Sequence, residues 1–100
     1  MAAVIVFRSR LAPDCPDSYG ARVEEIYRLA VEMPGFVAIK DFAAEDGERV
    51  AIVEFETEAQ SRAWGQQPEH RKAQQEGRDL YYSAYSIQVC EVVRESRFQK

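Results

Sequence analysis

The predicted order strand, helix, strand, strand, helix, strand places this 100-residue chain in the α+β class. The expected architecture is a ferredoxin-like four-stranded antiparallel sheet with helices on one face. Three observations carry it. An apolar run opens the chain, a helical periodicity ends at Pro34-Gly35, and two β-rich runs meet across Asp46-Gly47. The length suits one domain, expected over residues 1–95, with 96–100 as a C-terminal tail.

Each element has its own signal. Ala2 to Ser9 reads as a strand, because Val4, Ile5, Val6 and Phe7 are apolar on both faces. Tyr19, Val23, Ile26, Ala30 and Met33 recur at alternating spacings of four and three, which is one face of an amphipathic helix. Phe36 to Ala44 and Arg49 to Glu56 are the arms of a hairpin, with Asp46-Gly47 in its turn. Thr57 and Gln60 form a capping box that starts a second helix, with Ala59, Ala63 and Trp64 inward. Gly65 and Pro68 break it, and Pro68 suits the first turn of a third helix. Leu80 to Arg94 is the last strand, with Tyr81, Ser83, Tyr85 and Ile87 predicted on one face and Tyr82 on the other.

Helices cover one face of such a sheet and leave the other bare. Strand 1 is apolar on both sides, Val50 and Ile52 alternate with Ala51, Val53 and Phe55, and Ala84 and Cys90 alternate with Ile87 and Val89. The bare set makes an apolar patch larger than a monomer ordinarily exposes. A homodimer packed sheet to sheet is the expected remedy, burying on the order of 1,600 Å² or more.

Composition excludes several classes. Net charge is −4 and the pI is about 5.0, so no basic stripe is available for nucleic acid. The longest apolar run, Ala2 to Phe7, is far short of the roughly 20 residues of a membrane helix. That run also lacks the basic flank of a signal peptide, so the expected location is the cytoplasm. Cys15 and Cys90 are distant from one another, and neither has a ligand or redox partner nearby in sequence, which predicts no metal site. Cys90 is expected to be a small core residue.

The stretch AWGQQPEHRKAQQEGRDLYYSAY, residues 63–85, holds the sole Trp and the sole His. On a helical projection Arg71, Lys72, Gln75, Glu76 and Asp79 form the solvent face. Ala73, Gly77 and Leu80 form the inner face, with His70 and Gln74 at its margin. So small an inner face either approaches its neighbour closely or walls a cavity. Trp64 and His70, on two short helices joined by a break, can converge above the sheet. The same residues also suit a core anchor, a structural histidine and packing tyrosines.

These residues carry a resemblance. VIVFRSRL, LAVEMPGF, the 63–85 stretch and IQVCEVVRE are similar to the antibiotic biosynthesis monooxygenase (ABM) domain, in particular its branch related to haem-degrading monooxygenases. The W-x5-H-x3-Q-x2-G-R run, Trp64 to Arg78, is its most specific part. The resemblance implies a dimeric α+β barrel and a monooxygenase that oxidises a small aromatic or polyketide-like substrate with dioxygen and no cofactor. In such enzymes the substrate's own anion supplies the electron. On that reading Trp64 and His70 are catalytic, and Gln74, Arg78, Tyr81, Tyr85 and Phe7 contact the substrate. Where quinone-forming members carry Asn one turn before the Trp and Tyr six positions after it, this chain has Gln60 and His70. Haem-degrading members imply a second reading, with haem as substrate and cofactor. Their iron-ligating position is Gln74 here, and His70 lies one turn earlier. A third class, a non-catalytic ligand-binding or stress-associated dimer, fits the same residues.

Overall fold

The first strand lies inside the sheet. The structure, a computed structural model describing residues 2–100, places β1 (Ala3–Leu11) between β3 (Arg49–Phe55) and β4 (Tyr82–Glu91). β2 (Phe36–Ala43) pairs with β3 on the far side, giving the order β2-β3-β1-β4 with every neighbour antiparallel. This is the expected ferredoxin-like α+β fold. Helix α1 (Tyr19–Val31) connects β1 to β2, while α2 (Glu58–Gly65) and α3 (Pro68–Glu76) connect β3 to β4.

Local chemistry sets the boundaries. Past the end of α1, Gly35 has φ +81°, a conformation that costs little without a Cβ. Its carbonyl accepts from the Glu56 N–H at 2.8 Å, which ties the exit of α1 to the exit of β3. The capping box forms as expected: Gln60 N–H donates to Thr57 Oγ1 at 3.2 Å and Thr57 N–H to Gln60 Oε1 at 3.1 Å. Gln67 caps α3, and Pro68 occupies its first turn.

The core lies between α1, α2 and the sheet. Ala30, Val53, Phe55 and Trp64 are buried together, with Ile5, Ile26, Leu29, Met33, Phe36 and Ile39 packed around them. In α2 the inward residues are Ser61 and Trp64, while Ala59 and Ala63 face out, contrary to the expectation from the sequence. Ser61 tolerates burial because its hydroxyl donates to the Glu58 carbonyl at 2.7 Å.

The last strand differs from the expected Leu80–Arg94 at both ends. Gly77–Tyr81 form a single π-helical turn, which rotates Leu80 outward to 51% exposure instead of onto the inner face. Residues 92–100 lie outside helix and strand, with Val93 and Phe98 exposed. In β4 the pairing passes from Arg10↔Ala84 to Leu11↔Tyr82, so Ser83 is an extra, unpaired residue. That bulge reverses the side-chain alternation and puts Tyr82 on the same face as Tyr85, not the opposite one.

The face away from the helices carries Val4, Val6, Ile52, Phe42 and Cys90, with Ile52 38% and Phe42 48% exposed. Cys90 is therefore an exposed thiol and not a core residue. The ion pairs Arg8–Glu48 and Arg10–Asp46, both 2.9 Å, stand on this side. No helix among the described residues is long and apolar enough to cross a membrane.

Gly35→Ala is predicted to be the costliest single methyl in this frame. A Cβ there would stand 1.9 Å from Gln60 Oε1 and would strain the backbone as well. Urea denaturation should show a larger loss for Gly35→Ala than for Thr57→Ala, whose lost cap is worth about 1 kcal/mol.

Candidate active site

The helix-facing side of the sheet is laid down in rows by the strand register. Val89, Ile5, Val53 and Ile39 form one row, Ile87, Phe7, Ala51 and Asp41 the next, and Tyr85, Ser9 and Arg49 the third. The floor thus grades from aliphatic to polar over four residues of strand, roughly 13 Å. Above it, α1 and the α2–α3 corner overhang a cavity of about 450 Å³ that is open along β4, where Ile87 and Val89 are 50% and 52% exposed.

Trp64 and His70 stand at the aliphatic end. Trp64 is 3% exposed and packs with Val53 and Phe55. His70 stacks on it with ring centroids 3.9 Å apart and planes inclined by 15°. The corner between them is closed by its own polar groups. Gln67 Oε1 accepts from the His70 N–H at 2.7 Å, and His70 Nδ1 lies 2.9 Å from the Trp64 carbonyl oxygen. A carbonyl only accepts, so Nδ1 carries the proton and Nε2 is left as an acceptor. Burial lowers the His70 pKa below its ordinary 6.5, and the bond to the Trp64 carbonyl opposes that shift without reversing it. Near neutral pH the imidazole is uncharged, half-buried and at the wall of the cavity.

The polar end is built from tyrosines. Phe7 meets Tyr82 and Tyr85 edge-on at 5.4 and 5.5 Å, and Tyr19 meets Tyr81 and Tyr82 at 5.2 and 5.8 Å. The Tyr19 and Tyr82 hydroxyls are 3.3 Å apart, and Tyr81 OH is 3.3 Å from Ser18 Oγ. Gly77 permits this packing, since a Cβ there would come within 2.8 Å of the Tyr82 ring. On the other wall the Tyr27 hydroxyl donates to Asp41. Burial pushes the pKa values of Tyr27 and Tyr82 upward, so both remain protonated donors. Arg78 Nη1 donates to Tyr85 OH at 3.1 Å, and its Nη2 donates to Gln75 Oε1 at 2.7 Å.

Every residue singled out in the sequence lines this cavity: Trp64, His70, Gln74, Arg78, Tyr81, Tyr85 and Phe7. They fall into two groups. Trp64, His70 and Gln74 gather around the corner, where the Gln74 amide points to the Gly65 carbonyl at 3.5 Å. Arg78 and Tyr85 pair at the other end of α3, eight residues or roughly 12 Å along the helix from His70. Gln60 is held by the capping box and packs against Gly35, outside the cavity lining.

Sequence reasoning missed Tyr19, Tyr82, Tyr27, Asp41, Arg49 and Ser9 as lining residues. Tyr82 was hidden by the bulge, whereas Phe7 and Ser9 are two apart and so share a face, a signal present in the sequence. Arg22 also lines the cavity; its Nε donates to Glu76 at 2.7 Å and anchors α3 to α1. Among the described residues, no three His, Cys, Asp or Glu side chains gather as a metal site.

The ferredoxin-like fold is shared with several solved proteins. Rv0793 from Mycobacterium tuberculosis superposes with a TM-score of 0.83 at 13% identity, covering 97% of this chain and 100% of that one. SnoaB from Streptomyces nogalater, a cofactor-independent oxygenase, superposes with a TM-score of 0.77 at 16% identity, covering 94% and 95%. The uncharacterized protein YqjZ from Bacillus subtilis (strain 168) is 28% identical over 82 residues, 82% of this chain and 72% of its own length. Residues 2–76 match the antibiotic biosynthesis monooxygenase family. The chain belongs to that family.

His70 is the chain's one imidazole, so its titration is read without ambiguity. NMR should find the Nδ1–H tautomer and a pKa below 6.5. The folded value is depressed, so the unfolded state binds the proton more readily. His70 therefore supports folding fully above about pH 6.5, and the support is lost as pH falls through its folded pKa. Urea midpoints at pH 7.5 and 5.5 should fall further for the native protein than for His70→Gln.

Proposed function

We propose that this protein is a cytoplasmic, homodimeric monooxygenase that oxidises a small fused aromatic phenol with dioxygen, without a bound cofactor. The observation that carries this reading is the Trp64–His70 stack, with Nδ1 held by the Trp64 carbonyl, Nε2 left as an acceptor and His70 in the cavity lining. Nε2 takes the phenolic proton, and the resulting anion is the electron donor. One electron passes to dioxygen, the radical pair joins as a C–O bond, and the hydroperoxide loses water to leave a quinone. One phenol and one dioxygen thus give one quinone and one water. Trp64 shapes the wall, Phe7, Tyr81 and Tyr85 contact the rings, and Gln74 and Arg78 supply hydrogen bonds to the substrate. The cofactor-independent activity of SnoaB, a protein of the same fold, supports the reaction class.

Haem fits this donor set poorly. The position expected to ligate iron is Gln74, an amide, and the one imidazole lies one turn earlier, flat on Trp64.

Two measurements test the proposal. Oxygen uptake with fused-ring phenols such as 1-naphthol should fall by about 100-fold or more in His70→Ala, and Trp64→Phe should also be impaired. Unchanged uptake in both variants would reject the assignment. The dimer is tested separately, since the apolar open face supports a sheet-to-sheet partner. Ile52→Lys puts a charge on that face and should yield a species of 11.4 kDa in sedimentation, against twice that mass for the native protein.

A further inference from the structure

The cavity's second end holds polar donors that the protein itself leaves unused. Ser9 is 6% exposed as a residue and lines the cavity; its hydroxyl is in none of the hydrogen bonds among the described residues and is not sealed from solvent. It stands between Tyr85 and Arg49 in the third row of the floor. Arg49 has no carboxylate partner within ion-pair distance among the described residues, and neither does Arg78. The other two arginines of the lining are engaged: Arg22 by Glu25, Glu69 and Glu76, and Arg62 by Glu58. Asp41 is the only acid among the lining residues, and it is occupied as the acceptor from Tyr27. In a chain of net charge −4, this end of the cavity presents two unpaired guanidiniums against one engaged carboxylate.

We infer that Arg49 and Ser9 form a subsite for a carboxylate on the aromatic ligand, at the far end of the cavity from His70. The inference rests on the aromatic-pocket reading above and names the substrate class within it: a fused-ring phenol with an acidic substituent opposite the reacting hydroxyl. Two rulers give the span. Four residues of strand from Val53 to Arg49 make roughly 13 Å, and eight residues of helix from His70 to Arg78 make roughly 12 Å. Two or three fused rings with their substituents bridge such a gap. Guanidinium and hydroxyl donors both suit a carboxylate, which supplies acceptors alone. Arg78, already holding Tyr85 OH, adds positive potential at the same end. Arg49 is exposed, so its contribution is screened by salt.

Isothermal titration calorimetry with 2-naphthol and 6-hydroxy-2-naphthoate tests this without reference to turnover. The naphthoate should bind about tenfold more tightly at low salt, the worth of a charge-assisted hydrogen bond. Arg49→Gln should bring it down to the affinity of 2-naphthol and leave 2-naphthol unchanged. Ser9→Ala should reduce the preference in the same direction. Equal binding of the two probes to the native protein would overturn the subsite and leave the aromatic pocket standing. Absence of binding by both would overturn the pocket and the subsite together. Equal weakening of both probes by Arg49→Gln, or loss of the preference only in Arg78→Gln, would overturn the assignment to Arg49.

Discussion

His70 bridges a break in the chain by giving its Nδ1 proton to the carbonyl of Trp64, and much else depends on that bond. α2 and α3 are short, and α3 buries no residue fully. Neither would hold its direction alone, because an isolated helix of this length is marginal in water. The carbonyl bond, the stacked rings and the Gln67 cap make the corner one rigid piece. Arg22 fixes the far end of α3 to α1 through Glu76. Together these contacts hold a polar helix over the sheet without filling the space below it.

The same bond settles what His70 can do. An imidazole that donates from Nδ1 presents Nε2 as a lone pair, and burial keeps the ring neutral near physiological pH. A group so prepared receives a proton and does not offer one. The cost is a weaker base, because desolvation penalises the imidazolium that proton transfer creates.

Opposed chemistry at the two ends makes the cavity directional. The Val53 row is aliphatic and joins the core around Trp64, while the Ser9 row carries hydroxyl and guanidinium groups. The bulge at Ser83 sharpens this contrast by swinging Tyr82 onto the floor, where it meets Phe7, Tyr19 and Tyr85. The opposite sheet face has no such gradient; Val4, Val6, Ile52 and Phe42 lie there among Lys40, Glu54 and Gln88, beside the ion pairs of Arg8 and Arg10.

What the sequence determined by itself was local and periodic. The stripe from Tyr19 to Met33, the Thr57–Gln60 cap, the Asp46-Gly47 turn and the break at Gly65–Pro68 are all decided within a few residues. Trp64 and His70 were legible as a pair because a broken helix folds back on itself over that distance. The tertiary structure decided which strand face each residue occupies and which polar groups were already spent. A single extra residue at Ser83 reversed the predicted side of Tyr82, and a π turn moved Leu80 outward. Gln60 went to a cap while Arg49 and Ser9 were left open at the cavity. Register and hydrogen-bond satisfaction depend on partners tens of residues away, which no local pattern in the sequence specifies.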